Sequence, residues 1–238
     1  MMKKLVTFTL FLGFLTQVSS YLPAQDKKDK QTTASKAALS ALQEFVGPWK
    51  GNGETKDGKT ETWKETMNWG WKLKGGDVAL SVEFDNSKYF TRGELRFLPE
   101  KKVYQLKVND PKMNELVFEG EFKRKQLELK REDPTSKDKQ TLTISTNNDG
   151  ARLIYTYSVQ TKGKGLDKKL FTVQHAKEGM SLASSKKNEC CVTGGLGTIA
   201  VSYGGKTYYV CCSGCRDAFN EDPKGIVEEY EKKKKKEK

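Results

Sequence analysis

The chain has 238 residues, 43 Lys and Arg against 31 Asp and Glu, a formal charge of +12 and 35% hydrophobic content, enough for one large or two modest folded units of roughly 100–200 residues each. Its single histidine, His175, excludes any mechanism that needs two, such as an HExxH zinc protease or a two-His-one-carboxylate iron site. All five cysteines fall between Cys190 and Cys215, so metal or redox chemistry is concentrated there. Met1-Met2-Lys3-Lys4 is basic, Leu5 to Val18 is apolar, and Ser19 and Ser20 are small, the three-part layout of a secretory signal over residues 1–20. The apolar run is shorter than the roughly 20 residues of a spanning helix, so the expectation is export to a periplasm or the outside, with cleavage before Tyr21 and Ala24 as a second exit. Loss of Lys3 and Lys4 takes the formal charge from +12 to +10. In residues 21–44, Gln25 to Lys36 is polar and aperiodic and reads as a flexible lead-in. Ala37 to Phe45 has the spacing of a short helix that stops at Gly47-Pro48.

Residues 45–177 alternate with period two. Met67, Trp69, Trp71 and Leu73 share one face of a strand, Val78, Leu80, Val82 and Phe84 the next, and Leu153, Tyr155, Tyr157 and Val159 a later one. Shorter runs lie between them, at Leu95-Phe97, Tyr104-Leu106-Val108, Leu116-Phe118, Leu127-Leu129 and Leu142-Ile144. About nine strands result. Leu98-Pro99-Glu100-Lys101 and Asn148-Asp149-Gly150 are compact turns, which favour sequential antiparallel hairpins. Such a series closes on itself because closure removes the unpaired edges, so the expected fold is mainly β, an up-and-down antiparallel β-barrel. Phe45-Val46-Gly47-Pro48-Trp49 after a short helix resembles the Gly-x-Trp opening of lipocalin-like (calycin) barrels. The resemblance implies that Trp49 closes one barrel end and that the interior is a candidate carrier of a small apolar ligand. Trp69, Trp71, Tyr155 and Tyr157 are also large enough to fill that interior.

Gly179 to Asn188 is small, polar and aperiodic, which makes 178–188 a linker to a second unit at 189–230. A helix from Ile226 then runs into Lys232 to Lys236 within the Lys-rich tail 231–238. That block is a candidate for peripheral contact with an anionic membrane. No recognition helix or RNA-binding motif accompanies the charge, so nucleic acid is not an expected partner.

In the second unit, Cys190-Cys191-Val192-Thr193-Gly194 precedes a predicted hairpin that turns at Gly204-Gly205, and Cys211-Cys212-Ser213-Gly214-Cys215 follows it at a strand-to-helix passage. The hairpin folds the two cysteine groups together. Thiolates suit soft ions such as Cu(I) and Zn(II), and Cys211 and Cys215 at a helix start aim at one point where the helix dipole favours the thiolate. Cys190, Cys211 and Cys215, with Tyr203, Gly205-Lys206, Tyr208-Tyr209, Phe219 and Asp222-Pro223, resemble the YHS/TRASH group of heavy-metal-binding modules. The resemblance covers about residues 189–230 and implies metal trafficking, sensing or resistance, with a metal-donor or acceptor protein as partner. It also implies a first knuckle of the form Cys-x2-Cys-Gly, where this chain has Thr193 before Gly194. Three protein thiolates leave a position open that a closed structural zinc site would fill. Cys212, three residues before Cys215, is the candidate fourth ligand. Cys191 has no assigned role.

Export places the thiols in an oxidising compartment, where Cys190–Cys211 or Cys212–Cys215 disulfides are the competing reading. That reading goes with a barrel acting as ligand carrier or partner-binding scaffold. The odd cysteine count favours metal. Gly204-Gly205-Lys206-Thr207 is a hairpin turn and not a phosphate loop, because a strand follows it. His175 is a remote candidate for a fourth ligand and otherwise a partly exposed strand-end side chain. No nucleophile elbow, triad or paired carboxylate is recognisable, so no enzymatic activity is expected.

Overall fold

The computed structural model describes residues 24–56, 58–74, 76–147, 150–162, 165, 167–178 and 188–236. The expected signal, the linker apart from Glu178 and Asn188, and Asn148-Asp149 of one expected turn lie outside the described residues.

The alternating runs form ten strands, β1 (Gly47–Thr55), β2 (Thr62–Lys74), β3 (Asp77–Asp85), β4 (Arg92–Leu98), β5 (Val103–Asn109), β6 (Glu115–Lys123), β7 (Gln126–Glu132), β8 (Lys139–Asn147), β9 (Arg152–Gln160) and β10 (Lys168–Lys177). Each pairs antiparallel with its neighbour in sequence, and β1 pairs with β10 to close the barrel. The expected count of about nine falls one short. β1 is the strand with the least apolar alternation, because three of its buried positions are Gly47, Gly51 and Gly53, with Trp49 between them. Those glycines make room for large neighbours: a Cβ on Gly51 would lie 2.4 Å from the His175 ring, and one on Gly53 would lie 2.1 Å from the Trp63 indole.

One end of the barrel is plugged. Helix α1 (Ala24–Ser40) and the 3-10 turn Gln43–Phe45 lay Leu39, Leu42 and Phe45 over it, all essentially buried. Trp49 Nε1 donates to the Phe45 carbonyl at 2.7 Å, which ties the start of β1 to this turn. Tyr104 Oη donates to the Ala38 carbonyl at 2.8 Å. Gln25 to Lys36, read as flexible from its lack of apolar period, is part of α1. Ser35 Oγ donates to the Phe97 carbonyl and Thr32 Oγ1 to the Gly76 carbonyl, so polar side chains fix this helix where apolar ones are scarce. In the interior, Phe84, Phe90, Tyr155, Tyr157 and Phe171 meet stacked, tilted or edge to face with centroids 5.3–6.4 Å apart, the spacing aromatic quadrupoles favour.

The C-terminal unit begins with β11 (Ile199–Tyr203) and β12 (Lys206–Val210). Gly204 and Gly205 both have positive φ, at 57° and 74°, which is the two-residue turn that matches strand twist. Helices α2 (Ser213–Glu221) and α3 (Pro223–Lys236) follow. Asp222 Oδ1 accepts the Gly225 N–H at 2.9 Å, which caps α3 ahead of Pro223.

This unit packs on the barrel. Gly47↔Trp69 is the last pair between β1 and β2, so β2 runs on with an open edge. The start of α2 covers that edge: Cys212 Sγ accepts the Trp71 N–H at 3.3 Å. Gly214 lies so close that a Cβ there would sit 1.6 Å from the Trp71 carbonyl oxygen. The buried apolar residues of both parts form one contiguous core. Among the described residues no helix is long and apolar enough to cross a membrane.

Candidate metal centre

A six-residue knuckle positions the first sulfur. Cys190 N–H donates to the Gly195 carbonyl at 2.6 Å and Gly194 N–H returns to the Cys190 carbonyl at 2.8 Å, with Gly194 at φ 76°. Cys190 also forms an isolated parallel bridge with Tyr209 of β12, and the Cys191 N–H donates to the Tyr209 carbonyl at 2.9 Å. The knuckle is thereby held beside the strand that leads to Cys211. Two residues later α2 starts, and Cys215 lies in its first turn, where exposed N–H dipoles favour a thiolate.

The three sulfurs converge. The Sγ atoms of Cys190, Cys211 and Cys215 all lie within 4.8 Å of one another, and all three residues are buried. Cys211 and Cys215 sulfurs are 3.4 Å apart. Cys212 Sγ is 3.9 Å from Cys211 Sγ, but it faces the barrel edge through Trp71 and lies outside the mutually close trio. Thr193, at the knuckle position where the resembled modules carry a second cysteine, places Oγ1 3.6 Å from Cys211 Sγ. All five cysteines are free thiols, so neither expected disulfide pair is bonded.

Proton sharing polarises this cluster. Hydrogen bonds from Cys211 and then Cys215 pull the Cys190 thiol far down, and the same two neighbours pull Cys212 down. Contacts with Cys190, Cys211 and Cys212 push the Cys215 thiol up, and Cys211 is raised too, chiefly by its contact with Cys190. Full ionisation of the trio therefore calls for a cation or electrophile to replace the shared protons. Cys191 stands apart: burial first, and the neighbouring Cys190 charge second, raise its thiol to about 11. Lys177 is buried at the same end of the barrel. Its Nζ donates to the Glu44 carbonyl at 2.9 Å and lies 4.8 Å from the centroid of the Trp49 ring. Burial lowers its pKa to about 8 against the opposing charges of Cys211 and Glu44.

His175 is not the partly exposed strand-end residue expected. It continues the inward alternation of Phe171 and Val173 on β10 and is 2% exposed. Its Nε2 is 3.2 Å from Glu65 Oε1, off the line of a good hydrogen bond, and its ring stacks on Tyr155. The metal-capable trio among the described residues does not include it.

Sequence reasoning missed Glu65. This carboxylate is buried inside the barrel, accepting from Tyr155 Oη at 2.7 Å and from Trp63 Nε1 at 2.7 Å. Burial works to raise its pKa, but the contacts with His175, Trp63 and Tyr155 outweigh that and hold it below its ordinary value. The signal was available: stepping back by two from Met67 along the inward face of β2 reaches Glu65 and then Trp63.

The Lys-rich end is helical to Lys236. Glu189, beside Cys190, pairs with Lys233 Nζ at 3.2 Å and Lys234 Nζ at 2.5 Å, which ties α3 to the knuckle. Such exposed pairs contribute little each.

No family model and no curated protein matches the chain. Among solved structures, it is similar to that of Rv2717c from M. tuberculosis, at 17% identity and a TM-score of 0.40, over 59% of this chain and 97% of that one.

Proposed function

We propose that the chain is an exported heavy-metal-binding protein that holds a soft ion such as Cu(I) or Zn(II) between Cys190, Cys211 and Cys215, for sequestration, trafficking or sensing. The observation that carries the reading is the convergence of three buried sulfurs from two separate segments within 4.8 Å. Buried sulfurs packed this closely gain most when a soft cation replaces their protons. The likeness of residues 189–230 to YHS/TRASH modules points the same way. Three protein donors, with Thr193 in place of a fourth, leave a coordination position for a donor or acceptor protein's thiol, which suits transfer better than a closed structural role. The barrel serves as the platform, with β2 gripping the start of α2 through Cys212 and Gly214. No catalytic role is assigned to it.

The test is metal analysis of reduced, anaerobically purified protein beside a thiol count of the protein as isolated. Stoichiometric metal, with five titratable thiols after its removal, is the expected result. No metal under reducing conditions, together with a single free thiol as isolated, overturns the reading in favour of a disulfide framework.

A further inference from the structure

We infer that the ligand class best matched to this pocket is trivalent arsenic, taken up as arsenous acid, As(OH)3, by condensation with Cys190, Cys211 and Cys215. The inference rests on the soft-ion reading above and names the class of ion. In the reaction three S–H and three As–OH bonds break, three As–S bonds form and three water molecules leave. Arsenic stays trivalent, so no oxidant or reductant is needed.

Three features select this chemistry. The first is the number of donors. Trivalent arsenic makes three bonds and keeps a lone pair where a fourth ligand would stand, whereas Zn(II) in a protein site takes four ligands. The trio is the group of metal-capable side chains among the described residues whose ligand atoms all lie within 4.8 Å of one another. Of the neighbouring candidates, Cys212 Sγ stands 3.9 Å from Cys211 Sγ and is turned to the Trp71 N–H at the barrel edge, and Thr193 offers a hydroxyl, a poor ligand for a soft ion.

The second feature is charge. Three thiolates around a divalent ion carry a net −1 and around Cu(I) a net −2, but around trivalent arsenic the product is neutral. Cys190 and Cys215 are 0% exposed and Cys211 is 4% exposed, and a net charge held there without a full counter-charge is costly.

The third is spacing. With metal–sulfur bonds of about 2.3 Å, a tetrahedral centre holds its sulfurs about 3.8 Å apart, while the near-right angles of a pyramidal centre bring them to about 3.3–3.5 Å. Cys211 and Cys215 sulfurs stand 3.4 Å apart, inside the pyramidal range, and both lie within 4.8 Å of the Cys190 sulfur.

The experiment titrates the reduced full chain with sodium arsenite and, in parallel, with Cd(II), reading native mass spectra and residual thiols. The expected product is one arsenic per chain with three hydrogens lost and no hydroxyl retained, leaving two of the five thiols reactive. Cys190→Ser, Cys211→Ser and Cys215→Ser should each weaken arsenite binding by at least about a hundredfold. Cys191→Ser should change it by no more than about threefold, since its thiol lies outside the trio. Circular dichroism of each variant checks that the barrel is intact. Cd(II) binding without arsenite binding overturns this inference and leaves the soft-ion reading standing. Arsenic held with a retained hydroxyl, or held equally well by the three serine variants with intact barrels, also overturns it. Binding of neither ion defeats the soft-ion reading and this inference together.

Discussion

Gly214→Ala tests whether the barrel positions the thiol site. Ala favours a helix over Gly by up to about 1 kcal/mol, so helix propensity alone predicts a neutral or stabilising change. The packing predicts the reverse. The added Cβ would lie 1.6 Å from the Trp71 carbonyl oxygen and 2.7 Å from its carbonyl carbon. Both are backbone atoms of β2, which is paired with β3 through this stretch and cannot yield as a side-chain tip would. Moving from 1.6 Å to beyond the 3.0 Å that real Cβ atoms respect displaces the start of α2 by about 1.4 Å, several times the roughly 0.2 Å tolerance of a metal–ligand bond. Cys215, the next residue, moves with it, and the Cys212 bond to Trp71 is lost, at about 1 kcal/mol. Overpacking of this kind costs about 1–3 kcal/mol. The expected outcome is a fall of at least about tenfold, or about 1.4 kcal/mol, in Cd(II) affinity measured by competition with a chromophoric chelator. The barrel's circular dichroism should be unchanged. Ser213→Ala, at an exposed neighbouring position, is the control and should shift affinity by less than about 0.5 kcal/mol. A Gly214→Ala protein that binds as tightly as wild type would refute the docking argument.

Thr193→Cys places a fourth sulfur next to Cys211, where the hydroxyl now lies at 3.6 Å; Zn(II) affinity should rise by at least about tenfold by isothermal titration as the site becomes four-coordinate. Gly51→Ala drives a Cβ into the His175 ring at 2.4 Å and the Gln174 carbonyl at 2.8 Å, and urea unfolding should show a loss of about 1–3 kcal/mol. Glu65→Gln should cost about 1–3 kcal/mol at neutral pH, because the buried donors of Tyr155 and Trp63 lose a charged acceptor. Glu65 has a folded pKa below its ordinary 4.5, so its contribution is complete above about pH 4.5 and fades as pH falls through the folded value. Denaturation curves of wild type and Glu65→Gln should therefore converge as pH falls below the ordinary carboxylate range, and a constant gap would show that the carboxylate charge contributes nothing.

The barrel was legible because its inward positions are apolar at period two, as in Met67-x-Trp69-x-Trp71, and because one buried face per strand fixes both register and closure. β1 was the hardest strand to count, since its inward positions are glycines whose job is to admit His175 and Trp63 from neighbouring strands. Nothing within β1 itself announces those partners. The trio of sulfurs was readable from a knuckle, a hairpin and a strand-to-helix passage, all local features. The second role of Cys212 was not, because its partner Trp71 lies 141 positions away and the free N–H exists only where β1 ends before β2. The first part of helix α1, Gln25 to Lys36, escaped for a related reason. Its side chains bond to the carbonyls of Gly76 and Phe97, and such polar docking leaves no hydrophobic period to read.

The register Trp49↔Lys177 puts the first and last strands of the barrel side by side, so the chain enters and leaves this part of the molecule at one seam. Every other strand pairs with its immediate neighbour in the chain. A barrel closed in this way is a cassette, able to present whatever follows its last strand at a fixed place beside the free edge of β2.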